Sequence, residues 1–176
     1  MKIWISAGHQ ENTGANGFIS EGKEAIFLRD SIVSHIKEKQ PEITLKIDDD
    51  KCTLQAVIND MRKYKPDVML DIHFNASTPK ATGTEIFISD ERSRDFANEL
   101  VTAVSSILNI KNRGVKMEGQ SQHSRLGMLH PTDGIKVLLE VCFVTNQNDS
   151  SIYIDKRDEL SSALSEIICN YKYLES

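Results

Sequence analysis

The sequence predicts an α/β fold, a single domain over residues 1–176 in which a largely parallel, twisted sheet carries helices on both faces. Short apolar strands alternate with amphipathic helical patterns along the chain, which is typical of parallel strands joined by crossover helices. A length of 176 residues suits one compact domain with its own hydrophobic core. No repeat, low-complexity tract or Pro/Gly/Ser-rich linker divides the sequence.

The apolar pattern places each element in order. Strands are predicted at residues 2–6, 43–47, 68–74, 83–88 and 136–144. Helices are predicted at residues 21–39, 54–65, 93–108 and around 160–168, with loops at 7–17 and 111–125. Ser20 can cap the first helix and Pro41 stops it. Open sheets of this kind bind ligands beyond the carboxyl ends of their strands, so chemistry is expected there.

Charge and hydropathy exclude several classes of function. The net charge is -5 and no long run of Lys or Arg occurs, which argues against nucleic-acid binding and against charge-driven docking on an anionic surface. No apolar run approaches the roughly 20 residues of a membrane-spanning helix. The first apolar segment meets Gly8 and His9 too early for a secretory signal, so we expect synthesis in the cytoplasm without a signal peptide.

The cysteines are three in number and far apart: Cys52, Cys142 and Cys169. Without a Cys-x-x-Cys motif they are interpreted as reduced thiols made in a reducing compartment, although a disulfide between two of them stays open. Cys142 follows Glu140 by two residues in an apolar strand, where a thiol is expected to pack rather than react.

Candidate metal ligands stand at three element ends. His9 ends the first strand, His73 lies near the end of the third, and Glu21 begins the first helix. Two histidines and one carboxylate are a ligand set of catalytic zinc, which leaves one position for water. Each residue also has a structural interpretation, because a histidine can be a hydrogen-bonded rim residue and Glu21 can complement its helix dipole.

Glu140 lies inside an otherwise apolar strand. Burying a carboxylate there costs several kcal/mol unless a cation or a donor compensates. Such a residue can serve as a general base and acid, or it can pair with a buried Arg or Lys.

Seven short segments change the balance between these interpretations. On these segments, which run in one order from residue 3 to about 170, the chain resembles the zinc-dependent N-acetylmuramoyl-L-alanine amidases of the type 3 family. The segments are Ala7-Gly8-His9, Gly14-Ala15-x-Gly17 with Ser20-Glu21-Gly22, Asp71 to Ala76, Gly83 to Phe87, Arg113 to Lys116, Leu126 to Leu129, and Leu138 to Asn146.

The resemblance implies a six-stranded sheet with helices on both faces and Zn²⁺ in a shallow groove. It implies His9, Glu21 and His73 as metal ligands and Glu140 as the catalytic carboxylate. Glu24, one helical turn later on the same face, is a rival to Glu21, but Glu21 is preferred because it directly follows the loop. The implied substrate is peptidoglycan, cut at the amide between N-acetylmuramic acid and the L-alanine of the stem peptide.

Several neighbouring residues are further candidates. Asp71 shares a strand face with His73 and could hold its imidazole, or could form a cap or surface pair. Candidate substrate contacts are Asn75, Arg125 and His130; His123 and His130 flank a loop expected to overhang the groove, where they contact substrate or are merely solvated.

Two other functions compete with this expectation: a zinc hydrolase acting on a different peptidoglycan amide, and a wall-binding module without turnover. The expected biology is a phage or prophage endolysin that reaches the wall through a membrane lesion. A bacterial autolysin for wall remodelling or sporulation is the alternative, and the sequence leaves oligomeric state open.

Overall fold

The computed structural model describes residues 1–10, 13–121 and 125–171 of the chain. The strands are β1 (Lys2–Ala7), β2 (Thr44–Ile47), β3 (Val68–Asn75), β4 (Thr84–Ile88), β5 (Asn112–Met117) and β6 (Ile135–Phe143). The α-helices are α1 (Glu21–Lys39), α2 (Leu54–Tyr64), α3 (Arg94–Leu108) and α4 (Gln147–Asn170). Short 3₁₀ helices occur at Glu91–Ser93, Glu118–Gln120 and Gly127–Leu129.

Over the described residues, six strands form one sheet in the order β2-β1-β3-β6-β4-β5. Strands β1, β2, β3 and β6 are parallel to one another, and β4 pairs with β6 in antiparallel fashion while β5 follows β4 in parallel. The predicted α/β class and the largely parallel six-stranded sheet are therefore confirmed. The carboxyl ends of β1, β3 and β6 reach the same rim as the start of β4.

The two faces of the sheet differ because side chains alternate along each strand. One face, with residues such as Ile3, Ile5 and Leu70, builds the main core against α1, α3 and α4. The opposite face carries a smaller apolar cluster, with Trp4 and Met69 packed against Met61 of α2. We call this opposite face the open face, because polar side chains occupy the part that α2 leaves uncovered. Helices on both faces agree with the prediction.

One prediction is wrong, and one helix is longer than the residues expected to line it. β5 falls inside the segment predicted as a polar loop at 111–125; it is a half-buried edge strand with a positive φ of 83° at Gly114, so its apolar alternation is weak. Helix α4 contains the residues expected to line it and begins earlier than the first of them, Leu160. It begins at Gln147 because Asn146 accepts hydrogen bonds from the backbone of Asn148 and Asp149 and so caps it.

The start of α1 also differs from the expectation. Ser20 is the residue before the helix, but its side chain makes no capping hydrogen bond. The backbone N–H of Glu21 instead donates to the carbonyl of Ala15 at 3.0 Å. The loop before the helix thus fixes the position of the first helical residue.

Among the described residues, no helix combines the length and the apolar run needed to cross a bilayer. The three cysteines are free thiols, and Cys142 is buried, where its desolvation raises the pKa of the thiol. This position agrees with the packing role expected for Cys142.

Candidate functional site

A row of three ionisable side chains lies on the open face at the rim formed by the carboxyl ends of β3 and β6 and the start of β4. His73 of β3 is in register with Glu140 of β6, and Glu140 is in register with Glu85 of β4. Because register partners on neighbouring strands point to the same face, all three side chains project into the same space. The reversed direction of β4 is what brings Glu85, near the start of its strand, to this rim.

His9, Glu21 and His73 form a compact group next to this row. Each offers one possible ligand atom, and these atoms lie within 4.8 Å of one another. Oε1 of Glu21 is 3.2 Å from Nδ1 of His73 and 3.5 Å from Nε2 of His9. The two imidazole rings meet edge to face, with centroids 5.2 Å apart. We call these three residues the metal group.

Backbone donors hold Glu21 in the group. Oε2 accepts from the N–H of Ala15 at 2.7 Å, and Oε1 accepts from the N–H of Phe74 at 3.1 Å. Burial raises the pKa of Glu21, but the hydrogen bonds with His73 and Ala15 outweigh it, so the pKa lies below its usual range. Burial lowers the pKa of His9, which favours the neutral imidazole that binds metals.

Asp71 holds His73 from the other side. Its Oδ2 is 3.2 Å from Nε2 of His73, while its Oδ1 accepts a hydrogen bond from the Ser6 hydroxyl at 2.7 Å. Burial lowers the pKa of His73, but the charge of Asp71 and its hydrogen bond raise it by more. Asp71 thus orients the His73 ring so that Nδ1 faces Glu21. Histidines that bind metals are commonly held in this way by a carboxylate at the other ring nitrogen.

Two glycines leave room for the metal group. A Cβ on Gly8 would lie 2.0 Å from Cε1 of His73, and one on Gly14 would lie 2.7 Å from Oε2 of Glu21. Gly14 also has a φ of 85°, which side chains with a Cβ rarely adopt. Steric crowding at the metal group therefore explains why glycine occupies these two motif positions.

Glu140 differs from the other acids of the site. Its Oε2 is buried and has no hydrogen-bond partner among the described residues. Burial raises the pKa of Glu140 to about 7, with the charge of His73 opposing the rise. A carboxyl group that titrates near neutral pH can both accept and donate a proton under physiological conditions.

A groove of about 860 Å³ contains the metal group and Glu140. One side is formed by the loop at residues 48–50 and the start of α2, including Leu54. The other side carries Arg113 and Lys116 of β5. A groove of this size that is partly open to solvent can accept an extended polymer better than a fully enclosed pocket.

Glu85 organises the β5 side of the groove. It is buried, and its Oε1 accepts from Nδ2 of Asn75 at 2.9 Å. Its Oε2 accepts from Nε of Arg113 at 2.7 Å and from Nζ of Lys116. Sequence reasoning did not single out Glu85, although a glutamate within the apolar strand around Ile86 is the same signal that pointed to Glu140.

The structure separates the remaining candidates. Asn75 and Arg125 line the groove. His130 instead contacts Glu118, with Nε2 2.9 Å from Oε2, and is not among the described residues of the groove lining. Glu24 pairs with Arg157 of α4 at 3.0 Å and does not join the metal group. His123 lies outside the described residues.

Comparison with known families gives the identity of this fold and site. The family described as N-acetylmuramoyl-L-alanine amidase (Amidase_3) matches residues 3–170. The chain belongs to this family. Membership in this family supports amidase activity for the domain, and amidases are hydrolases. We call the chain the amidase-family domain.

The amidase-family domain is similar to the "Uncharacterized 38.4 kDa protein" of Clostridium perfringens, with 28% identity over 170 residues. That match takes in 91% of this chain and 48% of the relative, so the chain spans about half of the relative's length.

Solved structures share the fold of the amidase-family domain. The catalytic domain of CwlV, an N-acetylmuramoyl-L-alanine amidase from Bacillus (Paenibacillus) polymyxa var. colistinus, superposes with a TM-score of 0.83 at 22% identity, covering 97% of each chain. The catalytic domain of the CD27L endolysin, which targets Clostridia difficile, gives a TM-score of 0.82 at 19% identity and 98% coverage of each chain. At these identities the likeness concerns the fold.

Proposed function

We propose that this domain is a zinc-dependent N-acetylmuramoyl-L-alanine amidase that hydrolyses the amide between N-acetylmuramic acid and the L-alanine of the peptidoglycan stem peptide. The observation that carries the proposal is the placement of His9, Glu21 and His73 with possible ligand atoms within 4.8 Å of one another, beside Oε2 of Glu140, which has no hydrogen-bond partner among the described residues. Family membership supplies the substrate class.

The metal group fits zinc by its chemistry. Zinc prefers imidazole nitrogen and carboxylate oxygen, and catalytic sites use three protein ligands. His9, Glu21 and His73 would hold the ion, with Asp71 supporting His73 from behind. When bound, zinc supplies Lewis-acid polarisation of the scissile carbonyl and makes water acidic enough to attack at neutral pH.

Glu140 performs the proton transfers in this proposal. Its carboxylate accepts a proton from the attacking water, and its carboxylic acid then donates that proton to the alanine nitrogen as the C–N bond breaks. The products are a free lactyl carboxylate on the sugar and a free amine on the stem peptide. Burial of Glu140, which raises the pKa of its carboxyl group, favours both steps.

Substrate contacts are proposed on the groove lining. Asn75 and Arg125 face the groove, where an amide and a guanidinium can bind peptide carbonyls or carboxylates. His130 would act indirectly, by holding the loop that carries Arg125. Glu118 connects the two, because it accepts one hydrogen bond from the His130 ring and another from the N–H of Leu126.

Replacing Glu140 tests the catalytic assignment. We expect Glu140→Gln to lower turnover on purified sacculi by about 100-fold or more while the protein still binds zinc. Glu99→Gln, an exposed change on α3 with the same loss of charge, is expected to retain full activity. Wild-type turnover in Glu140→Gln, or full activity after removal of metal by a chelator, would contradict the proposal.

Mass spectrometry of the digest decides which bond is cut. The proposed amidase releases stem peptides with an N-terminal alanine and leaves the glycan strands intact. Cleavage of another peptidoglycan amide gives different termini, and a wall-binding module binds sacculi without releasing soluble peptide.

The biological setting that we propose is the cell wall, reached either as an endolysin through a membrane lesion or as an autolysin of the producing cell. Induced expression in a host with and without a lesion-forming partner distinguishes these settings. Lysis only in the presence of the partner supports the endolysin.

A further inference from the structure

The β5 side of the groove carries more positive than negative charge. Arg113 and Lys116 share one carboxylate, that of Glu85, and Asn75 already occupies the other oxygen of that carboxylate. Glu85 therefore accepts three hydrogen bonds, and its single negative charge balances one of the two positive charges.

Both cations keep donors for a ligand. Arg113 uses Nε for Glu85 and Nη1 for the carbonyl of Thr82, at 3.4 Å, while Nη2 has no hydrogen-bond partner among the described residues. The Lys116 ammonium carries three hydrogens, and Glu85 is its one hydrogen-bond acceptor in the described part of the chain. Both side chains line the groove.

The cations are held in place and partly shielded from water. Cζ of Arg113 lies 5.1 Å from the centroid of the Phe143 ring, and Nζ of Lys116 lies 5.9 Å from that of Phe87. Their side chains are 30% and 27% exposed. A charge in such a position attracts a ligand anion more strongly than a fully solvated one does.

Register sets the distance from these cations to the reacting bond. Glu85, which both cations contact, is the direct partner of Glu140 on the neighbouring strand. Neighbouring strands are about 4.8 Å apart, and an extended peptide advances about 3.3 Å per residue. A peptide that extends from an amide at Glu140 towards β5 brings a group one to two residues beyond that amide to the two cations.

We propose that Arg113 and Lys116 form a carboxylate subsite for the second residue of the stem peptide. Where that residue is a D-glutamate joined through its side chain, its α-carboxyl branches off the peptide and is either free or amidated. The subsite binds the free carboxylate, and it thereby selects substrates whose second residue is not amidated. This inference rests on the proposed amidase function.

A pair of synthetic substrates that differ in one group tests the subsite. Both are N-acetylmuramyl tripeptides, one with a free α-carboxylate on the second residue and one with the amide. We expect the zinc-loaded wild-type chain to show a kcat/KM at least about tenfold higher for the free acid, as for one charge-assisted contact.

Lysine variants identify the source of the preference. In Lys116→Met the ratio of the two kcat/KM values is expected to fall to near 1, mainly through a loss with the free acid. Lys116→Arg is expected to retain the preference. Lys111→Met, which removes the same charge from an exposed position just before β5, serves as the matched control and is expected to leave the ratio unchanged.

The outcomes separate the two proposals. Equal hydrolysis of both substrates by the wild type, or an undiminished preference in Lys116→Met, overturns the subsite and leaves the amidase function standing. A loss of equal size on both substrates in Lys116→Met also overturns it, because it shows a purely structural role. If the wild type cleaves neither substrate, the amidase function fails and the subsite fails with it.

Discussion

Gly8 and Gly14 occupy positions where a methyl group would collide with the metal group. The collision at Gly8 involves His73, whose ring is also fixed from behind by Asp71. The ring therefore cannot move backward to relieve the contact. A small change at Gly8 is expected to disturb metal binding without removing a ligand.

We predict that Gly8→Ala lowers the affinity for zinc by about 10- to 100-fold, as for changes that reorient a metal ligand. A zinc titration against a competing chelator measures this affinity, and circular dichroism checks that the fold persists. Gly119→Ala is the control, because a Cβ there would meet nothing within 4 Å. Unchanged zinc affinity in Gly8→Ala would show that His73 is not held as described.

At this scale the sequence predicted some residues better than others. His9, His73 and Glu21 could be proposed because they stand at element ends that share a rim, and the resemblance selected them. The structure brings these three together. Glu85 could not be placed opposite Glu140, because nothing in the sequence shows that β4 reverses and pairs with β6 in that register.

Among the elements, α4 is attached to the rim of the sheet by one buried acid in its first turn. Asp149 accepts from the Thr82 hydroxyl at 2.6 Å, the N–H of Gly83 at 3.0 Å and the N–H of Phe143 at 3.2 Å. Asp149 thus connects the helix both to the loop before β4 and to the end of β6.

Asp149→Ala is predicted to lower the free energy of unfolding by about 3 kcal/mol, because it leaves buried backbone donors without an acceptor. Urea unfolding followed by circular dichroism gives this value. Asp155→Ala, an exposed change on the same helix, is expected to alter it by less than about 0.5 kcal/mol. Equal effects of the two changes would contradict the role assigned to Asp149.

β5 shows where prediction from the pattern ends. Its sequence, Asn112 to Met117, places polar residues and a glycine in an edge strand with a shifted register against β4. An edge strand pairs on one side and buries little apolar surface, so period-two alternation is weak there. The resemblance implied a sixth strand, but the residues did not reveal which segment forms it.

The stability of the whole molecule depends on a buried cluster of charges between α1 and the loop after β2. Arg29 is 1% exposed and contacts Asp48 at 2.9 Å and Asp50. Burial raises the pKa of Asp48 to about 6, although Arg29 opposes the rise. The carboxyl group of Asp48 therefore holds its proton more tightly in the folded chain than in the unfolded chain.

The sign of the pH dependence follows from that difference. The contribution of Asp48 to stability is complete below about pH 4, the unfolded pKa, and is lost as the pH rises through about 6. We predict that, between pH 4 and 7, the wild type loses up to about 3 kcal/mol of unfolding free energy relative to Asp48→Asn.

Urea unfolding of both proteins at several pH values measures this difference. Asp155→Asn, an exposed change, is expected to follow the wild type across the range. A difference between wild type and Asp48→Asn that is constant with pH, or that has the opposite sign, would contradict the assignment.

The position of β6 in the sheet has a consequence for biosynthesis. β3 and β4 are neighbours along the chain, yet β6, which begins at Ile135, lies between them and brings Glu140. A ribosome that has made only the first 130 residues has produced two strands whose inner edges have no partner. The nascent chain at that stage lacks Glu140 and is exposed to edge pairing with other chains. Chaperone occupancy during translation is therefore expected to peak before residue 135 emerges and to fall once it does.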